Sequence, residues 1–154
     1  MSETLEEKFR SFCNLKNLEV NKNQITTIKI LEDFYNKNFH SSIFSFFKKK
    51  DHKKGLYLHG GVGRGKSMMM DLFFYQVKIK EKRRLHFHDF MKEVHQRILE
   101  KRKIEKNKDT VLSVGQDLAR ASKLLCFDEM EVKDIADAMI LSRLFEVMFD
   151  EGMI

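Results

Sequence analysis

The chain contains no proline, and only two of its 154 residues are cysteine. Without proline, no stretch contains the residue that most strongly breaks helices. Cys13 and Cys126 form no spacing motif, and Cys126, inside an apolar stretch, is expected to be a packed thiol in a reducing compartment. No run of eighteen apolar residues occurs, which excludes a membrane-spanning helix. The acidic, polar residues 1–7 indicate neither a secretory signal nor an arginine-rich transit peptide, so we expect a cytoplasmic protein.

Glycine is also scarce, and five of the seven glycines lie between Gly55 and Gly65. Four of these glycines belong to residues 60–67, which have the spacing G-x-x-x-x-G-K-S of a phosphate-binding loop. In such a loop, glycine lets backbone N–H groups point inward and lets a phosphate approach the backbone. Lys66 can then reach the β- and γ-phosphates of ATP, and the Ser67 hydroxyl can bind Mg²⁺. The predicted phosphate loop consists of Gly60, Gly61, Val62, Gly63, Arg64, Gly65, Lys66 and Ser67.

The segments on both sides of this loop fit the same interpretation. Residues 55–59 are apolar and aromatic, which predicts a buried strand. Residues 68–77 contain neither glycine nor proline and are predicted to form a helix. A helix that starts at the loop directs its free N–H groups and its positive dipole end at the phosphates. This order disfavours the alternative, a glycine-rich turn between ordinary elements.

Residues 124–129 supply a second motif, Leu-Leu-Cys-Phe-Asp-Glu. An apolar run that ends in acids is typical of a buried parallel strand whose carboxyl end carries ligand chemistry. Asp128 is predicted to hold Mg²⁺, directly or through water. Glu129 is predicted to orient and activate the attacking water as the general base. An acidic pair, rather than a single Asp, favours hydrolysis over nucleotide binding alone.

Charge and composition suggest how the chain is organised. The net charge of +6 allows contact with nucleic acid or an anionic membrane surface, but solvated lysine-rich faces are the favoured interpretation. Residues 1–47 predict one or two helices that pack on the core or on another chain, and the basic residues 48–54 connect them to the segment that carries the phosphate loop. We therefore predict an N-terminal helical segment and basic linker over 1–54 and a nucleotide-binding domain over 55–154.

Three histidines lie between the motifs. Residues 84–88 alternate as a strand, which would place His86 and His88 on the same face, and a helix is predicted to follow from Asp89. With His95 they could bind a metal, although histidines near a surface or a partner are the favoured interpretation, because no cysteine or carboxylate cluster supports a metal.

A further helix is predicted to begin after Asp134, whose side chain would cap it. Asp137 would occupy the third position of that helix. A broad apolar face would follow. Its members are Ile135, Ala138, Met139, Leu141, Leu144, Phe145 and Met148.

Three segments together resemble the ZapE family of AAA+ ATPases, which act in bacterial cell division and have relatives in mitochondria. The segments are residues 55–67, residues 85–91 with Val94 and His95, and residues 124–129 followed by residues 134–139. The histidine segment and the Asp-Ile-Ala-Asp-Ala-Met segment are more specific than the phosphate loop. The resemblance implies ATP hydrolysis with Mg²⁺, association with the division ring and the inner membrane, and ring-like or partner-driven assembly.

The resemblance also implies an α/β fold, the AAA+ type of P-loop NTPase, with a parallel sheet in the order 5-1-4-3-2 and flanking helices. Three strands are predicted near Leu56, Leu85 and Leu125, and a fourth is expected to begin at residues 152–154. We therefore expect a domain that is incomplete at its C-terminus, with the sensor residue and the arginine finger unassigned and with slow or absent hydrolysis in isolation. Two alternatives stay open: a nucleotide-binding or interaction fragment that does not hydrolyse ATP, and a replication loader that contacts DNA.

Overall fold

The computed structural model describes residues 3–39, 55–104 and 109–154, which form two compact units, Met1–Lys78 and Ile79–Ile154. Residues 40–47 of the predicted N-terminal helical segment and the basic linker over 48–54 lie outside the described residues.

Three helices form the described part of the first unit: α1 (Leu5–Leu15), α2 (Lys22–Phe39) and α3 (Lys66–Gln76). The predicted N-terminal helices are thus α1 and α2. Phe9 of α1 and Ile28 of α2 are fully buried. The phenol of Tyr35 on α2 packs edge-on against Phe73 of α3 and accepts a hydrogen bond from the backbone N–H of Lys78 at 3.0 Å. The two N-terminal helices therefore share their core with the helix that follows the phosphate loop.

The strand predicted over residues 55–59 is not present, which corrects the sequence interpretation. The segment has no regular secondary structure, and the Tyr57 side chain is 69% exposed. Within the described ranges, the sheet has two strands, and both lie in the second unit. An apolar pattern determines which side chains avoid water, but a strand also needs a neighbour for its backbone hydrogen bonds, and this segment has none in the described part of the chain.

The second unit contains β1 (Lys82–His86), α4 (Phe87–Ile104), α5 (Thr110–Ala121), β2 (Leu124–Asp128) and α6 (Ile135–Asp150). The two strands pair in parallel, with His86 beside Asp128. Helices α4 and α5 make the crossover that parallel strands require. At the other edge of β2, Ile154 donates to the Lys123 carbonyl (3.0 Å) and accepts from the Leu125 N–H (2.8 Å). The backbone at residue 154 therefore lies beside β2, and the fourth strand that the resemblance implies stays a prediction.

One face of this sheet packs on the core of the second unit. Leu85, Leu125 and Phe127 contact a buried cluster contributed mainly by α4, α5 and α6. The ring of Phe127 lies 4.7 Å from the ring of Phe90, centre to centre. Because side chains alternate along a strand, Arg84, His86 and Asp128 belong to the opposite face.

The histidine arrangement differs from the prediction. β1 ends at His86 and α4 begins at Phe87, so His88 lies in the first turn of a helix rather than on the strand face of His86. The expected alternation fails because the backbone changes from a two-residue to a 3.6-residue period at this point. His95 contacts Asp137 through Nε2 and Oδ1 at 2.7 Å. No cluster of three or more potential metal ligands occurs among the residues that the structure describes.

Helix α6 begins as predicted, with the Asp134 carboxylate accepting a hydrogen bond from the Ala136 N–H at 2.8 Å. Its apolar face is only partly buried. Leu141, Leu144 and Met148 lie in the core, whereas Ile135 is 80% and Met139 67% exposed, and Ala138 is exposed as well. In the first turn of α6, the polar side chain of Asp137 contacts His95 of α4.

Gly115 lets α5 approach α6 closely. A Cβ at this position would lie 2.8 Å from Cγ1 of Val147. We expect Gly115→Ala to lower the free energy of unfolding by about 1–3 kcal/mol through overpacking, against the roughly 1 kcal/mol by which alanine favours a helix. Urea denaturation measures the change, and a second substitution, Val147→Ala, should recover part of it. A Gly115→Ala chain that is as stable as the wild type would contradict this account of the contact.

Candidate functional site

The phosphate loop, residues 60–67, leads directly into α3. Gly65 precedes the first residue of the helix, Lys66, and has a left-handed backbone with φ of 79°. Gly63 has a similar φ of 75°. Side chains with a Cβ are strained at such angles, so these two positions favour glycine. The loop therefore ends at a helix N-terminus, where the helix dipole favours an anion.

The ammonium group of Lys66 is turned onto the loop. Its Nζ donates hydrogen bonds to the carbonyl oxygens of Gly60 (2.7 Å) and Gly61 (2.8 Å). The loop thus curls around a positive charge, while Val62 at its tip is fully exposed. An anion that reaches the loop would meet this ammonium as well as the start of the helix.

Helix α2 contacts the same loop. The Gln24 side chain donates from Nε2 to the carbonyl oxygen of Arg64 at 3.3 Å. Its Oε1 accepts a hydrogen bond from the backbone of Asn21, and the Asn21 side chain accepts one from the backbone of Gln24. Sequence reasoning missed Gln24. The Asn-x-x-Gln pattern indicates the start of a helix, but nothing in it predicts a contact forty positions further along the chain.

The two acids of the second motif lie at the carboxyl end of β2. The Asp128 carboxylate accepts hydrogen bonds from Arg84 Nη2 to Oδ2 (3.0 Å) and from the Glu129 N–H to Oδ1 (3.2 Å). Glu129 is exposed and has a left-handed backbone with φ of 52°, which is rare for a residue with a long side chain. Such strain concentrates at functional sites. The left-handed backbone of Glu129 turns the chain sharply just after β2, at an exposed acid.

Sequence reasoning also missed Arg84. The alternation of side chains along each strand is the signal that indicates it. Arg84 pairs with Cys126, and Asp128, two residues further along β2, therefore lies on the same face as Arg84. On the other face of β1, Arg83 donates to Glu93 with 2.6 Å between Nη2 and Oε2. This guanidinium holds the pKa of Glu93 below its usual range.

The donor atoms of the two motifs fit Mg²⁺ chemically. This ion prefers hard oxygen ligands and octahedral geometry, and it usually keeps several waters. The hydroxyl of Ser67, at the start of α3, and the carboxylate of Asp128, at the end of β2, are oxygen donors of this kind. Ser67 belongs to the first unit and is the last residue of the phosphate loop, and Asp128 belongs to the second unit and is the first acid of the second motif.

Comparison with known proteins identifies relatives. A family model described as AFG1-like ATPase matches residues 6–154. The chain is 46% identical over 109 residues to lactation elevated protein 1 homolog B of Danio rerio, and this alignment covers 66% of this chain and 22% of that protein. It is 40% identical over 100 residues to the cell division protein ZapE of Escherichia coli (strain K12), and this alignment covers 65% of this chain and 26% of that protein.

The chain thus spans about a quarter of the length of these relatives. No solved structure matches it. In the portion that the structure describes, no helix is both long enough and apolar enough to cross a membrane.

Proposed function

Because the chain belongs to the AFG1-like ATPase family, we propose that it binds Mg²⁺-ATP through the phosphate loop and takes part in ATP hydrolysis. The observation that carries this proposal is the loop itself. It ends at the N-terminus of the eleven-residue helix α3, and the Lys66 ammonium is drawn onto its carbonyl groups. Backbone amides, a helix dipole and a lysine are the three elements that recognise nucleotide phosphates.

In the proposed complex, Lys66 leaves the carbonyl oxygens of Gly60 and Gly61 and donates to the β- and γ-phosphates instead. The energetic cost is small, because one set of charge-assisted hydrogen bonds replaces another. Ser67 supplies a hydroxyl ligand for Mg²⁺, and the ion, when bound, neutralises charge that develops on the phosphates.

The two acids at the end of β2, Asp128 and Glu129, have different roles in the proposed reaction. Asp128 supplies a carboxylate to the Mg²⁺, directly or through water. Glu129, exposed just beyond the end of β2, takes the proton of the attacking water. The different surroundings of the two acids support this division, because Asp128 is paired with Arg84 whereas Glu129 is exposed.

Nucleotides of different phosphate content test the proposal. We expect Mg²⁺-ATP and Mg²⁺-ADP to raise the melting temperature of the purified chain, and adenosine to leave it unchanged, because recognition acts through the phosphates. A ligand at 100 times its dissociation constant stabilises the folded state by about 2.7 kcal/mol. Differential scanning fluorimetry at matched ligand concentrations measures the shifts. Equal shifts with ATP and adenosine, or none with any nucleotide, would contradict the proposal.

The family resemblance and the similarity to the cell division protein ZapE of E. coli support a further proposal, a role in cell division. We propose that ATP turnover remodels a division-ring protein, with contact at the inner membrane surface and assembly of several copies as further elements. A sedimentation assay with purified division-ring filaments would test it. ATP, but not a non-hydrolysable analogue, should change the amount of filament that sediments with a version of this protein extended to the length of its relatives.

A further inference from the structure

The Asp128 carboxylate is held by two donors within the second unit. Arg84 donates to one oxygen at 3.0 Å, and the N–H of Glu129 donates to the other at 3.2 Å. The side chains of Arg84 and Asp128 are each 20% exposed. This ion pair is therefore largely shielded from water, unlike most surface pairs, and its charges attract each other more strongly than exposed charges would.

The position of Arg84 follows from the sheet. β1 and β2 run in parallel, and Arg84 lies two residues before the end of its strand, on the face that carries Asp128. A long side chain that points along the strand spans this distance. The guanidinium thus supplies a positive charge at the same carboxylate that the proposed function assigns to Mg²⁺.

A guanidinium and a metal ion on one carboxylate oppose each other. They compete for the lone pairs of the oxygens, and their positive charges repel each other. On the basis of the nucleotide-binding role proposed above, we propose that Arg84 is a built-in counter-cation of Asp128, which Mg²⁺ must displace. Arg84 thereby sets the Mg²⁺ concentration at which the nucleotide complex forms. It acts through Asp128 and is a positioning residue, not a catalytic one.

The test is a Mg²⁺ titration at fixed concentration of a fluorescent ATP analogue, read as the Mg²⁺-dependent part of its binding. We expect Arg84→Gln to lower the half-saturating Mg²⁺ concentration by about tenfold, because an opposite charge in contact changes the affinity of a carboxylate for a cation on this scale. Binding of the analogue in EDTA should be the same in both chains.

Arg83→Gln is the matched control. Arg83 is the neighbouring arginine on the same strand, but it pairs with Glu93 on the opposite face. This variant loses the same charge and the same kind of ion pair, and its Mg²⁺ midpoint should equal that of the wild type. Arg84→Lys, which keeps the charge but offers a single donor point, should lower the midpoint less than Arg84→Gln does. It also tests the proposal if Arg84→Gln does not fold.

Each outcome decides the matter. A lowered midpoint in the Arg84 variants alone supports the inference. An unchanged or raised midpoint, with binding of the analogue intact and dependent on Lys66, overturns the inference and leaves the proposed function standing. An equal shift in Arg83→Gln also overturns it, because net charge would then be the cause. Absence of any Lys66-dependent binding in the wild type overturns the proposed function and the inference together.

Discussion

Glu129→Gln is expected to reduce the rate of ATP hydrolysis by about 10²- to 10⁴-fold while leaving nucleotide affinity nearly unchanged. The amide keeps the size of the side chain and still accepts a hydrogen bond, but it does not take a proton from water. Glu129 is exposed at the end of β2, so the substitution disturbs no buried contact. Single-turnover hydrolysis in a version of the protein extended to the length of its relatives measures the effect.

The matched control for this substitution is Glu131→Gln. Glu131 is an exposed acid two positions away, paired with Lys133 at 3.2 Å. The Glu131→Gln variant should hydrolyse ATP at the wild-type rate. If Glu129→Gln also turns over at nearly the wild-type rate, Glu129 is not the base, and the acid pair serves binding alone.

Lys66→Ala is expected to weaken Mg²⁺-ATP binding by about 10- to 100-fold. Hydrogen bonds that involve a charged group contribute about 1.5–3 kcal/mol each, and Lys66 offers the loop its ammonium. The variant also loses the hydrogen bonds from Lys66 Nζ to the carbonyls of Gly60 and Gly61, so the empty loop should become less ordered. Isothermal titration calorimetry gives the affinities.

Lys37→Ala, which removes an exposed lysine from α2 in the same unit, controls for the loss of one positive charge. Its affinity for Mg²⁺-ATP should match that of the wild type. Equal affinities in the wild type and Lys66→Ala would show that the phosphates bind elsewhere.

The local features of the site could be predicted from the sequence because each depends on a few neighbouring residues. The helix predicted over residues 68–77 forms as α3, which begins two residues earlier at Lys66. The predicted strand that ends in acids and the cap at Asp134 also appear in the structure. Glycine spacing, an apolar run that ends in acids and a capping aspartate are signals of short range.

The features that the sequence did not reveal depend on partners far along the chain. The segment 55–59 has the composition of a strand but no neighbour to pair with in the described residues. Gln24 contacts the phosphate loop, and Arg84 contacts Asp128, only because packing brings distant elements together. Exposed Ile135 and Met139 show the same limit, since an apolar face is buried only where another element covers it.

The most direct test of the central claim is the backbone amide spectrum of the isotope-labelled chain with and without Mg²⁺-ATP. If residues 60–67 hold the phosphates, the largest chemical-shift changes will fall on the amides of this loop and of the first turn of α3. The carbonyl groups of this loop hold the Lys66 ammonium, and the loop leads into the start of the helix. Saturable changes confined to other parts of the chain, or no changes at all, would contradict the account.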